Sequence, residues 1–127
     1  MGLKGLKRLR TECGRLQTLP HKLSELRELY RLDVSHNRLS MIDVFVEMTS
    51  LRFLYASHNK FDVLPSELAT SLTLLEHLDL SRNLISELPN NFGELRRLRH
   101  VDLSHNDIAE FPNERMDVLA SVQVRRD

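Results

Sequence analysis

The chain has 127 residues, a length for one domain, and its 18 Lys and Arg side chains balance 18 Asp and Glu, so net charge gives no reason to expect nucleic acid or an anionic membrane as partner. A single cysteine, Cys13, cannot form an internal disulfide, and no apolar run reaches the length of a membrane span, which favours a cytoplasmic, reducing setting over an exported or membrane-inserted one. The opening segment MGLKGLKRLR is too charged for a secretory leader, and no asparagine sits in an N-x-Ser/Thr sequon.

In chain order, five related units are predicted, at about 6–28, 29–50, 51–74, 75–97 and 98–121. One phrase returns in the last four: LDVSHNRL at 32–39, LYASHNKF at 54–61, LDLSRNLI at 78–85 and VDLSHNDI at 101–108. Its asparagines, Asn37, Asn59, Asn83 and Asn106, are separated by 22, 24 and 23 positions. A fixed period of this size is the mark of a stacked array, in which each unit buries its apolar face only against its neighbours.

The first unit, 6–28, carries the degenerate copy LRTECGRL at 9–16, with Gly14 where the others have Asn. It is also the most basic part: residues 1–28 hold seven Lys or Arg against three Glu. Nothing before it reads as a cap. The uncapped edge of a parallel sheet invites pairing, so self-association through this edge is one expectation, and a longer parent chain is the other.

Each unit then opens with alternating apolar residues, Leu32 and Val34 in the second and Leu78 and Leu80 in the fourth, the period-two mark of a strand with one buried face. The Asn that follows offers two donors and an acceptor for backbone groups of its own and a neighbouring unit. Five residues after the Asn position comes an apolar residue, usually followed by proline, as at Leu19-Pro20, Leu64-Pro65, Leu88-Pro89 and Phe111-Pro112. Proline disfavours helix just before it, and so marks the start of the return arm. Apolar residues spaced by three, Leu23, Leu26, Leu29 or Phe92, Leu95, Leu98, predict short 3₁₀ or α turns there. The second unit lacks the proline after Ile42 and is one residue short; the third is one longer, at Ala69-Thr70-Ser71, and the slack is expected on the outer side. At the end, Met116, Leu119, Val122 and Val124 continue the apolar rhythm and Arg125-Arg126-Asp127 add charge, which reads as a weak C-terminal cap over 116–127.

The pattern L-x-x-L-x-L-x-x-N-x-L is met by Leu29, Leu32, Val34, Asn37 and Leu39, and again by Leu75, Leu78, Leu80, Asn83 and Ile85. On these residues the chain resembles the leucine-rich repeat family over residues 3 to about 112. Its Leu-Pro form resembles the intracellular class that includes Ras-suppressor-like and cell-polarity scaffold proteins. The resemblance implies an α/β fold: a right-handed solenoid with a concave parallel sheet and short helical or extended convex arms. It also implies adaptor or regulatory work on signalling enzymes through protein binding, with no catalysis and no cofactor of its own.

Strand residues that do not enter the core are expected on the concave face, in columns fixed by the repeat. One column is Lys7, Tyr30, Arg52, Glu76, Arg99; the next is Arg8, Arg31, Phe53, His77, His100; a third is Arg10, Asp33, Tyr55, Asp79, Asp102. Tyr30, Phe53 and Tyr55 gather beside Arg31 and Arg52, and aromatic residues with arginine are the types that dominate binding hot spots. A protein partner is therefore expected on Tyr30, Arg31, Arg52, Phe53, Tyr55, His77, Asp79, His100 and Asp102. The bland alternative is that Phe53 and Tyr55 only lean on neighbouring units.

Two His and two Asp on adjacent units, His77, Asp79, His100 and Asp102, also admit a metal-dependent site, and Ser81 and Ser104 beside them evoke a hydrolytic triad. Asp33 shares the Asp column and Ser35 the Ser column, so these residues read first as parts of the repeated phrase. An open face also lacks the enclosure that nucleophilic catalysis needs. His36 and His58, on neighbouring units, raise pH sensitivity, since two protonated rings repel. Three functions remain on the sequence: an adaptor or scaffold, a targeting or regulatory fragment of a larger signalling enzyme, and a metal-dependent activity.

Overall fold

The computed structural model describes residues 5–11, 14–109 and 123–125. Six three-residue strands, β1 (Arg8–Arg10), β2 (Arg31–Asp33), β3 (Phe53–Tyr55), β4 (His77–Asp79), β5 (His100–Asp102) and β6 (Gln123–Arg125), pair in chain order. Every pairing is parallel, so each strand is reached by a full turn of a solenoid. The sixth strand falls inside the segment read as a C-terminal cap. Residues 116–122 of that segment, with Phe111-Pro112 and Cys13, lie outside the described residues.

The register stacks like on like. Leu9, Leu32, Leu54, Leu78 and Val101 form one row through the sheet, and the last four are at most 1% exposed. Below it run Val34, Ala56, Leu80 and Leu103, all buried. The phenyl rings of Phe45 and Phe61, 5.8 Å apart edge to face, and of Phe92 fill the wider space toward the arms. This column of apolar side chains is the core, and leucine supplies it because a branched chain of constant volume repeats without voids. Leu6, Leu9, Leu16 and Leu19 pack on it only partly buried, since the first rung has a neighbour on one side among the described residues.

The asparagines close the turns. Asn59 Nδ2 donates to the carbonyls of Ala56 and Ser57 in its own rung and of Val34 in the previous one, while its Oδ1 accepts the Leu39 amide at 3.0 Å. Asn83 and Asn106 repeat this set one and two rungs on. Asn37 differs in one bond: its Nδ2 reaches the Thr11 hydroxyl at 2.9 Å where the others reach a backbone carbonyl. The residue before each Asn (His36, His58, Arg82, His105) has a φ of 55–60°, the left-handed conformation that lets the chain turn sharply. Gly14, in the Asn position of the first rung, also has a positive φ, 76°.

The arms explain the uneven spacing. In the first, second and fourth rungs they hold 3₁₀ turns, His21–Glu25, Phe45–Glu47 and Phe92–Glu94. There the amides of Leu26, Met48 and Leu95 donate to carbonyls three residues back, on Leu23, Phe45 and Phe92. The long rung spends its extra residue on an α turn, α1 (Glu67–Ser71), in which the Leu72 amide reaches four back to Leu68. The short rung saves one at the missing proline: Ile42 is both buried and the carbonyl that accepts the Phe45 amide, two roles that Leu64 and Pro65 divide between them in the next rung.

Candidate functional site: an aromatic and arginine row on the concave sheet

Side chains on the odd side of each strand leave the core, and the parallel register lines them up. Arg8, Arg31, Phe53, His77 and His100 are paired across five strands, as are Arg10, Asp33, Tyr55, Asp79 and Asp102. Strands in such a sheet are about 4.8 Å apart, so side chains of one row touch.

They do so in a chain of ring contacts. The Arg8 guanidinium lies 5.8 Å from the Tyr30 ring centroid, and its Nε donates to the Tyr30 hydroxyl at 2.9 Å. Tyr30 meets Phe53 edge to face at 6.3 Å; Phe53 meets His77 at 6.3 Å, and His77 meets His100 at 5.1 Å. Tyr55 closes a second contact on His77 at 5.1 Å and carries the Arg31 guanidinium 5.0 Å above its ring. Arg52, exposed, approaches Glu76 at 3.9 Å. Tyr30, Phe53, Tyr55 and His77 are all half-buried, so the aromatic surface is held by neighbours and still open on one face. His77 is held below the usual imidazole range by burial first and by His100 second, against a smaller opposite pull from Asp79, which keeps the middle of the row uncharged at neutral pH.

The acidic column has a different employment. Asp79 Oδ1 accepts both the amide and the hydroxyl of Ser81, at 3.0 and 2.7 Å, and Asp102 does the same for Ser104 at 3.0 and 2.6 Å. Asp33 Oδ1 accepts the Ser35 amide at 3.0 Å. Each carboxylate thus fastens the turn that follows its own strand, as a side chain bonding two residues ahead does. In β3 the place is taken by Tyr55, and Ser57 turns instead to the His58 Nδ1 at 3.4 Å. Among the described residues no three His, Cys, Asp or Glu side chains are grouped so as to hold a metal ion. The metal-dependent alternative at His77, Asp79, His100 and Asp102 is corrected on that ground: the two imidazoles pack ring on ring, and both carboxylates already accept bonds from serine.

Beside the row, at the ends of the strands, the His36 and His58 rings are stacked 4.1 Å apart at 20°, and Arg82 approaches His105 Nε2 at 3.4 Å. His58 is lowered from its ordinary value, chiefly by partial burial, then by His36 and Arg82. A cavity of about 290 Å³ opens at the first rung between Arg10, Thr11, Gly14, Asp33, Ser35 and His36, where the side chain that asparagine supplies elsewhere is missing. Arg8 is the member of the row that residue type alone did not single out. Its signal was the column shared with Arg31 and Phe53.

Among the described residues no helix is long and apolar enough to cross a membrane. The leucine rich repeat family model matches residues 4–61 and 58–108. Leucine-rich repeat serine/threonine-protein kinase 1 of Caenorhabditis elegans is 28% identical over 92 residues, which are 70% of this chain and 4% of that protein. Leucine-rich repeat-containing protein 58 of Xenopus tropicalis is 32% identical over 98 residues, 75% of this chain and 28% of that protein. In fold, the crystal structure of an internalin C2 from Listeria monocytogenes superposes with a TM-score of 0.82 at 24% identity, covering 99% of this chain and 54% of that one. The chain therefore spans only a small part of the curated relatives it matches. With its period, its parallel sheet and the family match in agreement, the chain belongs to the leucine-rich repeat family, whose domains work as protein-interaction modules.

Proposed function

We propose that this chain is an adaptor or scaffold that holds a protein partner on its concave sheet, in a reducing, cytoplasmic setting consistent with its lone cysteine. The observation that carries the reading is the continuous ring row from Tyr30 through Phe53 to His77, flanked by Arg8, Arg31 and Arg52. Half-buried rings lose little side-chain freedom on binding and offer large apolar area, and stacked arginines add directed donors at the same place. Asp79, His100 and Asp102 extend the surface toward the C-terminal rungs. The five sequence units, 6–28 to 98–121, act as one binding domain in this reading.

The test is the double variant Phe53→Ala with Tyr55→Ala. Both side chains are half-buried and outside the core column, so the double variant is expected to stay folded with a loss of about 1–2 kcal/mol for each ring. Capture of the native partner is expected to fall at least tenfold, about 1.4 kcal/mol. Unchanged capture by a folded double variant rejects the patch.

A second reading, a targeting or regulatory fragment of a larger signalling enzyme, is favoured by the 4% share of the kinase relative that the chain spans. Reading the transcript on both sides of Met1 and Asp127 decides it. Self-association through β1, the end strand of the sheet, is the further partner reading, and sedimentation over a concentration series tests it.

A further inference from the structure

Arg8 and Arg31 are register partners on β1 and β2, and each lays its guanidinium over an aromatic ring, Tyr30 for one and Tyr55 for the other. Stacking uses the flat face of the group and leaves edge N–H donors pointing sideways: all of them at Arg31, and the two Nη groups at Arg8, whose Nε already donates to the Tyr30 hydroxyl. Both side chains are exposed. A planar group held in one orientation with its edge open is the arrangement that takes a carboxylate through two parallel hydrogen bonds. The ordering cost that weakens surface ion pairs is already met here by the rings. Phe53 follows Arg31 in the same row and is half-buried with one face open.

The charge around the row narrows what fits it. Asp33 and Asp79 line the flank of the row two residues along each strand, their Oδ1 atoms fixed on Ser35 and Ser81. A ribbon as wide as a nucleic acid strand lays phosphates against those carboxylates as well as against the arginines. A single extended peptide is narrow enough to follow the arginines alone. The distance from Arg8 to Phe53 is two strand spacings, roughly 10 Å, which three residues of extended chain cover.

We propose that Arg8, Arg31 and Phe53 take an extended acidic segment of a protein partner, its carboxylates on the two stacked arginines and an apolar side chain about three residues on against the Phe53 ring. This rests on the concave-face reading above and adds the chemistry of the partner. Arg52, next to Phe53, already faces the Glu76 carboxylate, so the two stacked arginines carry the charge recognition.

The test titrates the full chain, labelled with ¹⁵N, with the N-acetylated hexapeptide Glu-Glu-Glu-Leu-Gly-Gly. In an extended chain the second Glu and the Leu share the face turned to the sheet, and the first and third Glu keep negative charge beside the second arginine. Controls replace Glu by Gln, or Leu by Ser, and a fourth ligand is hexauridylate RNA. The expected result is perturbed amides in β1 to β3 and a loss of about tenfold on changing Glu to Gln. Binding is also expected to fall with added salt. Arg8→Gln and Arg31→Gln are each expected to weaken binding severalfold at unchanged melting temperature. Arg31→Lys is expected to recover only part, since an ammonium has no fork. If the Gln peptide binds equally well and still perturbs the concave strands, the acidic class is wrong while the concave reading survives. If the perturbations map to the convex arms, both fail. Tighter binding of the RNA than of the Glu peptide overturns the proposal, as does no perturbation at millimolar peptide; the Phe53 and Tyr55 double variant then judges the concave reading by itself.

Discussion

Asn59 holds Leu39 of the preceding rung: its Oδ1 accepts the Leu39 amide at 3.0 Å while its Nδ2 donates to the Val34 carbonyl of that same rung at 3.0 Å. One side chain, 8% exposed, thus satisfies a donor and an acceptor that water cannot reach. Asn59→Ala strands the Leu39 amide and takes one of two donors from the Val34, Ala56 and Ser57 carbonyls, which keep Asn37 Nδ2, Asn83 Nδ2 and the His36 amide. One unsatisfied buried amide costs about 1–3 kcal/mol and each lost bond to a still-paired carbonyl about 0.5–1 kcal/mol, so the expected loss is about 3–4 kcal/mol by urea unfolding. Asn59→Asp keeps the shape, but a carboxylate faces three carbonyls and cannot donate, so it should destabilise at least as much. Asn106→Ala should cost less, because its surroundings are only partly buried. Equal losses at 59 and 106 contradict this account.

The long third rung carries its extra residue in α1, on the outside. Deleting Thr70 leaves Leu68 and Leu72 three apart, the separation of Leu23 and Leu26 and of Phe92 and Leu95 in the 3₁₀ arms. Thr70 is exposed, and its hydroxyl bonds only locally, to the Glu67 carbonyl. The deletion is expected to leave a folded solenoid, weaker by about 1 kcal/mol as for other exposed-site changes. Deleting Asp79 instead shifts the rest of β4 by one position and turns Leu80 away from the core; a one-residue slip exchanges the two faces of a strand. That variant should not fold. Circular dichroism melts of the two deletions separate these outcomes.

The arm lengths could be read from the chain because spacing is conserved by the core itself: Leu29, Leu51, Leu75 and Leu98 must all reach the same buried column. The parallel sheet followed for the same reason. Other features had no signature in single residues. A histidine in the left-handed region, as at His36 and His58, carries no mark that a glycine would, and only its repetition before Asn sets it apart. The serine bonds of Asp79 and Asp102 are short-range geometry within a repeated phrase that also admits a ligand cluster. Stacking of Arg8 on Tyr30 depends on side-chain rotation, which the register permits without dictating. Strand β6 had only a weak apolar rhythm to mark it, inside the segment read as a cap.

The left-handed residues give a sharp test at Arg82, whose φ is 55°. A side chain in that region costs roughly 1–2 kcal/mol against the right-handed conformation, and glycine escapes it at an entropy cost of about 0.5–1 kcal/mol. Arg82→Gly is therefore expected to hold or slightly raise stability, the loss of the exposed 3.4 Å approach to His105 being small. Arg82→Val, β-branched, should lower it by about 1–2 kcal/mol, since such residues are outliers at positive φ. Denaturant midpoints for the pair decide the matter, and a destabilised Arg82→Gly contradicts it.

Acid should weaken the fold through His58 and His77. Both are held below the ordinary imidazole value of 6.5 in the folded chain, each chiefly by desolvation and next by a neighbouring imidazole, His36 for His58 and His100 for His77. The unfolded chain then takes up protons at a higher pH than the folded one, and stability rises with pH wherever the unfolded state binds more protons. The contribution is complete above the unfolded value near 6.5 and is lost as pH falls through the lower folded values. Urea midpoints are expected to fall between pH 7.5 and 5.5, and the drop should shrink in His77→Gln and in His58→Gln, which remove the titrating rings. The ring proton shifts of His77, followed by NMR over the same range, are expected to titrate below 6.5. A midpoint above that value shows that Asp79 and Asp102 outweigh burial at this ring, and an acid-independent urea midpoint removes the linkage altogether.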